Sequence, residues 1–134
     1  MSTRCQIEFR NGSMRRTVYR HWDGYPGSVL PDLLSFLAWS TRVGDVEYEA
    51  ANFLYWSKRE FDERNCQLRF GVCTNDELHG DTEYYYVVEH TPGDALVRAY
   101  EIEDGPRIGR CVNSFARYRA AQSFRVGLTP TISE

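Results

Sequence analysis

The change from strand to helix along this chain falls within Arg20-His21-Trp22-Asp23-Gly24-Tyr25-Pro26-Gly27. Two glycines and a proline in this stretch predict a fixed turn, which would present a histidine, an aspartate and two aromatic side chains. The residues before the turn alternate in polarity, and those after it repeat with the period of a helix. Residues 20–27 are therefore either a structural corner or a binding site.

A β-hairpin is predicted on the N-terminal side of this turn. Residues 5–10 alternate between apolar and polar side chains, and Asn11-Gly12 suits a tight hairpin turn. A second strand over residues 15–22 would point Val18 inward and leave His21 on the more exposed face. Tyr19 is the alternative core residue, in which case the two faces exchange.

Two helices are predicted on the other side of the turn. Ser28 can cap a helix over residues 28–41, whose early proline, Pro31, is tolerated in the first turn. Asp45 can cap a second helix over residues 45–63, where apolar residues recur at helical spacing. The short connection between them indicates an αα-hairpin.

The rest of the chain returns to the period of a strand. We expect strands over residues 66–72, 82–90 and 95–103, the last two forming a hairpin around Thr91-Pro92-Gly93-Asp94. A short helix is expected over residues 114–124 and a frayed tail over residues 127–134.

The order β-β-α-α-β-β-β predicts the fold class. It is typical of a single α+β domain spanning residues 1–134, in which an antiparallel sheet of about five strands carries the αα-hairpin on one face. Strand–helix–strand alternation, the mark of an α/β fold, does not occur.

Composition excludes several classes of protein. The chain has 134 residues and a net charge of -3, which does not favour general nucleic-acid binding. Residues 1–6 show no apolar core of signal-peptide length, and no run of about 18 apolar residues that would cross a membrane occurs in the sequence. The four cysteines form no C-x-x-C pair. We therefore expect a cytoplasmic protein with reduced thiols.

A second polar group, His79-Gly80-Asp81 followed by Glu83, has the same internal order as His21, Trp22 and Asp23. Histidines and carboxylates two residues apart can bind a metal or serve in acid–base chemistry, although in a turn they more simply bond to the backbone. A turn before a helix and a loop between strands can meet at one end of a sheet. We therefore predict that the two groups converge.

Aromatic residues and arginines add a second kind of binding chemistry. Trp22, Tyr25 and the run from Tyr84 to Tyr86 can stack on a planar ligand, while a neighbouring arginine holds a phosphate. For the tyrosines, however, we expect cross-strand packing in the core or at the rim of the sheet, and ligand stacking is the alternative. Trp39, Tyr55 and Trp56, on the helices, would serve in packing or in binding a partner. The predicted ligand-binding residues are Arg20, His21, Trp22, Asp23, Tyr25, His79, Asp81 and Glu83, with no metal or other cofactor assigned.

The sequence from Tyr19 to Pro26, with its apolar helix and the later His79-Gly80-Asp81-Thr82-Glu83-Tyr84, resembles a group of small uncharacterised proteins of bacteria, archaea and their phages. The resemblance covers the middle of the chain and leaves out residues 4–10 and the C-terminal third. It implies a prokaryotic or viral setting and supplies no catalytic residue.

These patterns favour a binding protein over an enzyme. The chain carries no P-loop, dinucleotide fingerprint, G-x-S-x-G or H-E-x-x-H motif. We expect a non-enzymatic protein that recognises a small anionic or nucleotide-like ligand or a protein partner. The alternative is a small metal-dependent hydrolase that uses the His/Asp groups.

Overall fold

The structure, a computed structural model, describes residues 3–40, 44–61, 70–74, 78–92, 94–103, 107–120 and 123–131. Its elements in chain order are β1 (Cys5–Asn11), β2 (Met14–Arg20), α1 (Pro26–Trp39), α2 (Val46–Phe61), β3 (Phe70–Val72), β4 (Tyr84–Thr91), β5 (Asp94–Glu103), β6 (Arg107–Ala120) and β7 (Ser123–Thr131). The predicted α+β class is confirmed. No helix within these ranges has the length and apolar character needed to cross a bilayer.

One mixed sheet contains all of these strands, in the order β3-β2-β1-β4-β5-β6-β7. The prediction of about five strands is wrong, because the described residues contain seven. The prediction of a wholly antiparallel sheet is also wrong, since β1 and β4 are parallel and pair Cys5 with Tyr84. These two strands are far apart in the sequence, so no local turn sets their relative direction.

The predicted helix over residues 114–124 is a further error. Residues up to Ala120 belong to β6, and Ser123–Thr131 forms β7, which also replaces the expected tail as far as Thr131. β4 pairs with one edge of β5, and β6 pairs with the other. The backbone N–H and C=O groups on both edges of β5 therefore have hydrogen-bond partners. Residues 132–134 and the predicted strand over residues 66–69 lie outside the described ranges.

Both helices pack on one face of the sheet, as predicted. Phe9 of β1 lies between them, with its ring centroid 6.0 Å from Phe36 of α1 and 5.7 Å from Phe53 of α2. Period two in β1 explains this packing, because Cys5, Ile7 and Phe9 all point to the helices and are fully buried. The helix α1 begins at Pro26, two residues earlier than predicted, with Tyr25 as its N-cap.

The opposite face of the sheet carries buried polar side chains, and neither of the described helices packs on it. Gln6 and Glu8 of β1 point to it and are buried, as is Tyr85 of β4. Tyr85 donates its hydroxyl to Glu8, and Arg10 Nε lies 2.5 Å from the same carboxylate. Cys73 N extends the pairing of β3 with β2 by donating to Thr17 O, and the loop before β4 lies against this face, since His79 N donates to Gln6. We call this side of the sheet the polar face.

Candidate functional site

Three segments meet at one end of the sheet because of the strand register. Cys5, near the start of β1, pairs with Arg20 at the end of β2 and with Tyr84 at the start of β4. The residues just before β1, just after β2 and just before β4 are therefore neighbours. This register confirms the predicted convergence for His21, His79 and Asp81, which surround Arg4 and Tyr19.

Arg4 connects the two predicted groups. Its Nε lies 3.3 Å from Asp81 Oδ2 and 3.3 Å from His21 Nδ1. Both contacts use Nε, and the Tyr19 hydroxyl also interacts with the guanidinium. The side chain is one-third exposed and that of Asp81 about half exposed. His21 and Asp81 therefore hold the guanidinium at its inner nitrogen, and Nη1 and Nη2 form its outer edge.

Tyr19 forms the wall of the site on the polar face. Its ring stacks on that of His79, with centroids 5.0 Å apart and planes 30° apart. Its hydroxyl lies 2.9 Å from His21 Nδ1. Burial and the carboxylate of Asp81 raise the pKa of Tyr19. Because Arg4 Nε donates to His21 Nδ1, this nitrogen is an acceptor, and the Tyr19 hydroxyl therefore donates its hydrogen bond to it. With Nδ1 as the acceptor, the N–H of the ring is on Nε2.

Gln6 fixes the loop that carries His79. Its Oε1 accepts hydrogen bonds from His79 N at 2.9 Å and from Thr82 Oγ1 at 2.8 Å, while its Nε2 donates to Cys73 Sγ at 3.4 Å. Gln6 and Thr82 are buried, whereas the imidazole of His79 is exposed. The backbone around His79 is therefore anchored and its ring is accessible.

Arg20, a predicted ligand-binding residue, is used within the fold. Its side chain is 1% exposed and lies over the Trp22 ring, 4.5 Å from the centroid. Its three nitrogens donate to Trp22 O, Asp32 Oδ2 and Ser28 Oγ. This arrangement joins the end of β2 to the first turns of α1, and it is separate from the cluster around Arg4.

The turn that contains Asp23 is fixed by Gly24. Gly24 N donates to Thr3 O and Gly24 O accepts from the buried Tyr86 hydroxyl. A Cβ at this position would lie 2.8 Å from Cys5 Cβ, so only glycine fits. Asp23 itself is exposed and has a positive φ of 46°.

The other predicted residues, Trp22, Tyr25 and Glu83, lie around the cluster. Trp22 packs edge-to-face on Phe70, with centroids 6.0 Å apart, and Tyr25 is exposed at the start of α1. Glu83 is exposed, and its backbone N–H donates to Arg4 O. The expected packing role of the tyrosine run is confirmed, because Tyr86 is in the core.

Arg4, Gln6 and Tyr19 were missed as site residues. The signal that would have found two of them is period two, since Gln6 and Tyr19 are directly paired and His21 follows Tyr19 on the same face. Arg4 precedes the first strand and has no motif of its own.

The described residues contain neither an activated thiol nor a metal cluster. Burial raises the pKa of Cys5 to about 12 and also raises that of Cys73. Neither thiol therefore has the thiolate character that nucleophilic catalysis requires. Within the described part of the chain, no group of three or more His, Cys, Asp or Glu residues is placed to hold a metal ion.

Comparison with protein-family models, with curated proteins and with solved structures finds no match for this chain.

Proposed function

We propose that the protein is a non-enzymatic binding protein and that the cluster of Arg4, Tyr19, His21, His79 and Asp81 binds a small anionic ligand. The observation that carries the proposal is the state of Arg4, whose hydrogen bond and ion pair both use Nε. A guanidinium presents paired N–H groups that match the oxygens of a phosphate or carboxylate. The outer edge of Arg4 is such a pair, already oriented before a ligand arrives.

The neighbours of Arg4 support this assignment. His21 is held by two hydrogen bonds to Nδ1, which leaves Nε2–H as a donor. His79 is exposed on an anchored loop and adds a second imidazole. Asp81 orients Arg4 and also partly offsets its charge. This balance suits a ligand of low charge and does not suit a polyanion such as nucleic acid.

Inorganic phosphate is the simplest probe of this site. Phosphate stabilises any folded protein because it is excluded from the protein surface. Specific binding is therefore measured as the difference in the melting-temperature shift between variants. We expect phosphate to raise the melting temperature of the wild type and of Arg110→Ala, whose side chain pairs with Glu101 outside the cluster. In Arg4→Ala the specific part of the shift should be lost, with affinity about tenfold weaker, because hydrogen bonds to charged groups contribute about 1.5–3 kcal/mol.

An equal shift in all three proteins would contradict the proposal. Stabilisation by a divalent metal, together with turnover of a phosphoester, would replace it with the metal-dependent hydrolase. If no anion or metal stabilises the protein specifically, a protein partner becomes the better proposal. Trp39 and Tyr55, exposed with ring centroids 6.3 Å apart, would then be the first residues to change. Trp56, which the sequence suggested for that surface, is buried in the core.

A further inference from the structure

Gly71 in β3 has no structural requirement for glycine. It pairs with Tyr19 in regular antiparallel register, and its φ is not positive. A Cβ at this position would lie 3.7 Å from Tyr19 Cβ and 3.9 Å from Tyr19 Cδ2, which is ordinary van der Waals contact. Glycine weakens a strand because it loses more backbone entropy on folding than other residues and has no side chain to pack against its neighbours. A glycine inside a strand often marks a place where a ligand approaches closely.

The space above Gly71 belongs to the same site as Arg4. Residues that pair directly project from one face of a sheet, so the missing side chain of Gly71 would stand beside Tyr19 on the polar face. The stacked rings of Tyr19 and His79 border that space. The backbone of Gly71 lies beneath this space and the aromatic rings lie beside it, an arrangement that suits a flat ring.

We propose that the ligand is a nucleoside monophosphate, whose base lies over Gly71 against the Tyr19–His79 stack and whose phosphate binds Arg4. This inference rests on the proposed anion site and adds the identity of the ligand class. Strand spacing of about 4.8 Å and a two-residue repeat of about 6.8 Å place Gly71 roughly 12 Å from Arg4, Cα to Cα. The arginine side chain spans part of that distance, and a ribose phosphate spans the rest.

The charges near Arg4 favour one phosphate over several. Asp81 already pairs with the guanidinium at 3.3 Å. A neighbouring groove of about 380 Å³ is lined by Glu83, Glu101 and Glu103 together with Gly80 and Thr82. Additional phosphates would meet these carboxylates, so a nucleoside triphosphate should bind less tightly than the monophosphate.

Calorimetric titration with AMP, ribose 5-phosphate and ATP tests the proposal. Stacking a base on an aromatic side chain strengthens binding by at least about fivefold. We expect AMP to bind the wild type more tightly than ribose 5-phosphate by that factor, and ATP to bind more weakly than AMP. A 5′-phosphorylated tetranucleotide distinguishes the source of the nucleotide: weaker binding than AMP supports the free nucleotide, and tighter binding would overturn it in favour of a strand terminus.

Two variants locate the base. Gly71→Val fills the space over β3. Its Cβ makes ordinary van der Waals contact with Tyr19 and valine suits a strand, so we expect the variant to fold, which its melting temperature checks. His79→Ala removes the outer ring of the stack from an exposed position. Gly71→Val should abolish the preference for AMP and leave ribose 5-phosphate binding unchanged. His79→Ala should also abolish the preference, and it should weaken the binding of ribose 5-phosphate as well, because His79 belongs to the anion site. Thr74→Val, at an exposed position just beyond β3, should preserve the preference.

The outcomes separate this inference from the function on which it rests. If ribose 5-phosphate binds the wild type as tightly as AMP, or if AMP keeps its advantage in both variants, the base subsite is refuted and the anion site stands. If ribose 5-phosphate binds wild type and Arg4→Ala equally, the anion site fails and the inference fails with it.

Discussion

Arg20 is one of the largest fully buried side chains in the described part of the chain, and it joins β2 to α1. Its guanidinium is 1% exposed, and its hydrogen bonds reach the backbone of Trp22 and the side chains of Asp32 and Ser28. A charge removed from water to this extent is tolerated only when it is paired and fully hydrogen bonded. Arg20 therefore fixes the angle between β2 and α1, and with it the position of the intervening turn.

We expect Asp32→Ala to lower the free energy of unfolding by about 3 kcal/mol, because it leaves the buried guanidinium of Arg20 without its carboxylate. Urea denaturation measures the loss. The double variant Arg20→Met/Asp32→Ala should recover part of it, since no unpaired charge remains. Glu101→Ala, which removes an exposed partner of Arg110, should cost less than about 1 kcal/mol. A double variant no more stable than Asp32→Ala would contradict this assignment.

Cys5 gives a pH dependence with a definite sign. Burial raises the pKa of its thiol from 9.0 to about 12. Below pH 9 both the folded and the unfolded chain hold the proton, and above it the unfolded chain loses the proton first. The contribution of this thiol to stability is therefore complete below pH 9 and lost as the pH rises towards 12.

The same shift predicts the reactivity of Cys5. At pH 8 we expect iodoacetamide to leave Cys5 unmodified in the folded protein and to modify it in urea, because the thiolate is the reactive form. Peptide mass spectrometry would measure the extent of alkylation at Cys5. Modification of Cys5 at the same rate in both conditions would show that the thiol is accessible in the native state.

At the scale of elements, a buried acid–base pair joins α2 to β4. Glu49 Oε1 lies 2.5 Å from His90 Nε2, with the two side chains 0% and 4% exposed. Glu49 Oε2 is buried without a hydrogen-bond partner among the residues that the structure describes. The pair lies at the opposite end of the sheet from Arg4, because His90 is paired with Asn11 at the end of β1. It holds the helix to the sheet and takes no part in the candidate site.

Glu49→Ala should lower the free energy of unfolding by about 2 kcal/mol, because it leaves the buried imidazole of His90 without an acceptor. Glu47→Ala is the matched control. Glu47 also lies in the first turn of α2, so both changes remove the same favourable interaction with the helix dipole. The exposed ion pair of Glu47 with Arg16 should contribute less than about 1 kcal/mol to the free energy of unfolding. Equal losses in urea denaturation would refute a special role for the buried pair.

For the whole molecule, the sequence predicted the elements whose structure depends on neighbouring residues. The hairpin of β1 and β2, the two helices and the hairpin of β4 and β5 each follow from a period and a nearby turn. The parallel pairing of β1 with β4 does not, because it joins residues more than seventy positions apart. The helix expected over residues 114–124 failed for a related reason, since its apolar spacing is overridden by pairing with β5.

The residues of the candidate site also include some that the sequence could predict and some that it could not. The convergence of His21 with His79 and Asp81 was predictable, because a turn after one strand and a loop before another meet at a sheet end. The role of Arg4 was not, since it depends on a register between strands that no local motif encodes. Arg20 appeared in the sequence as a ligand-binding residue, and only its burial shows that its donors are already used.

The most direct test of the anion site is a nuclear magnetic resonance titration with phosphate that follows the arginine Nε–H and histidine imidazole signals. Arg4, His21 and His79 should shift together along one binding curve, while His90, buried at the far end of the sheet, should not move. In Arg4→Ala the shifts of both site histidines should be lost. Histidine shifts that persist unchanged in Arg4→Ala, or an Arg4 signal that phosphate does not move, would contradict the assignment.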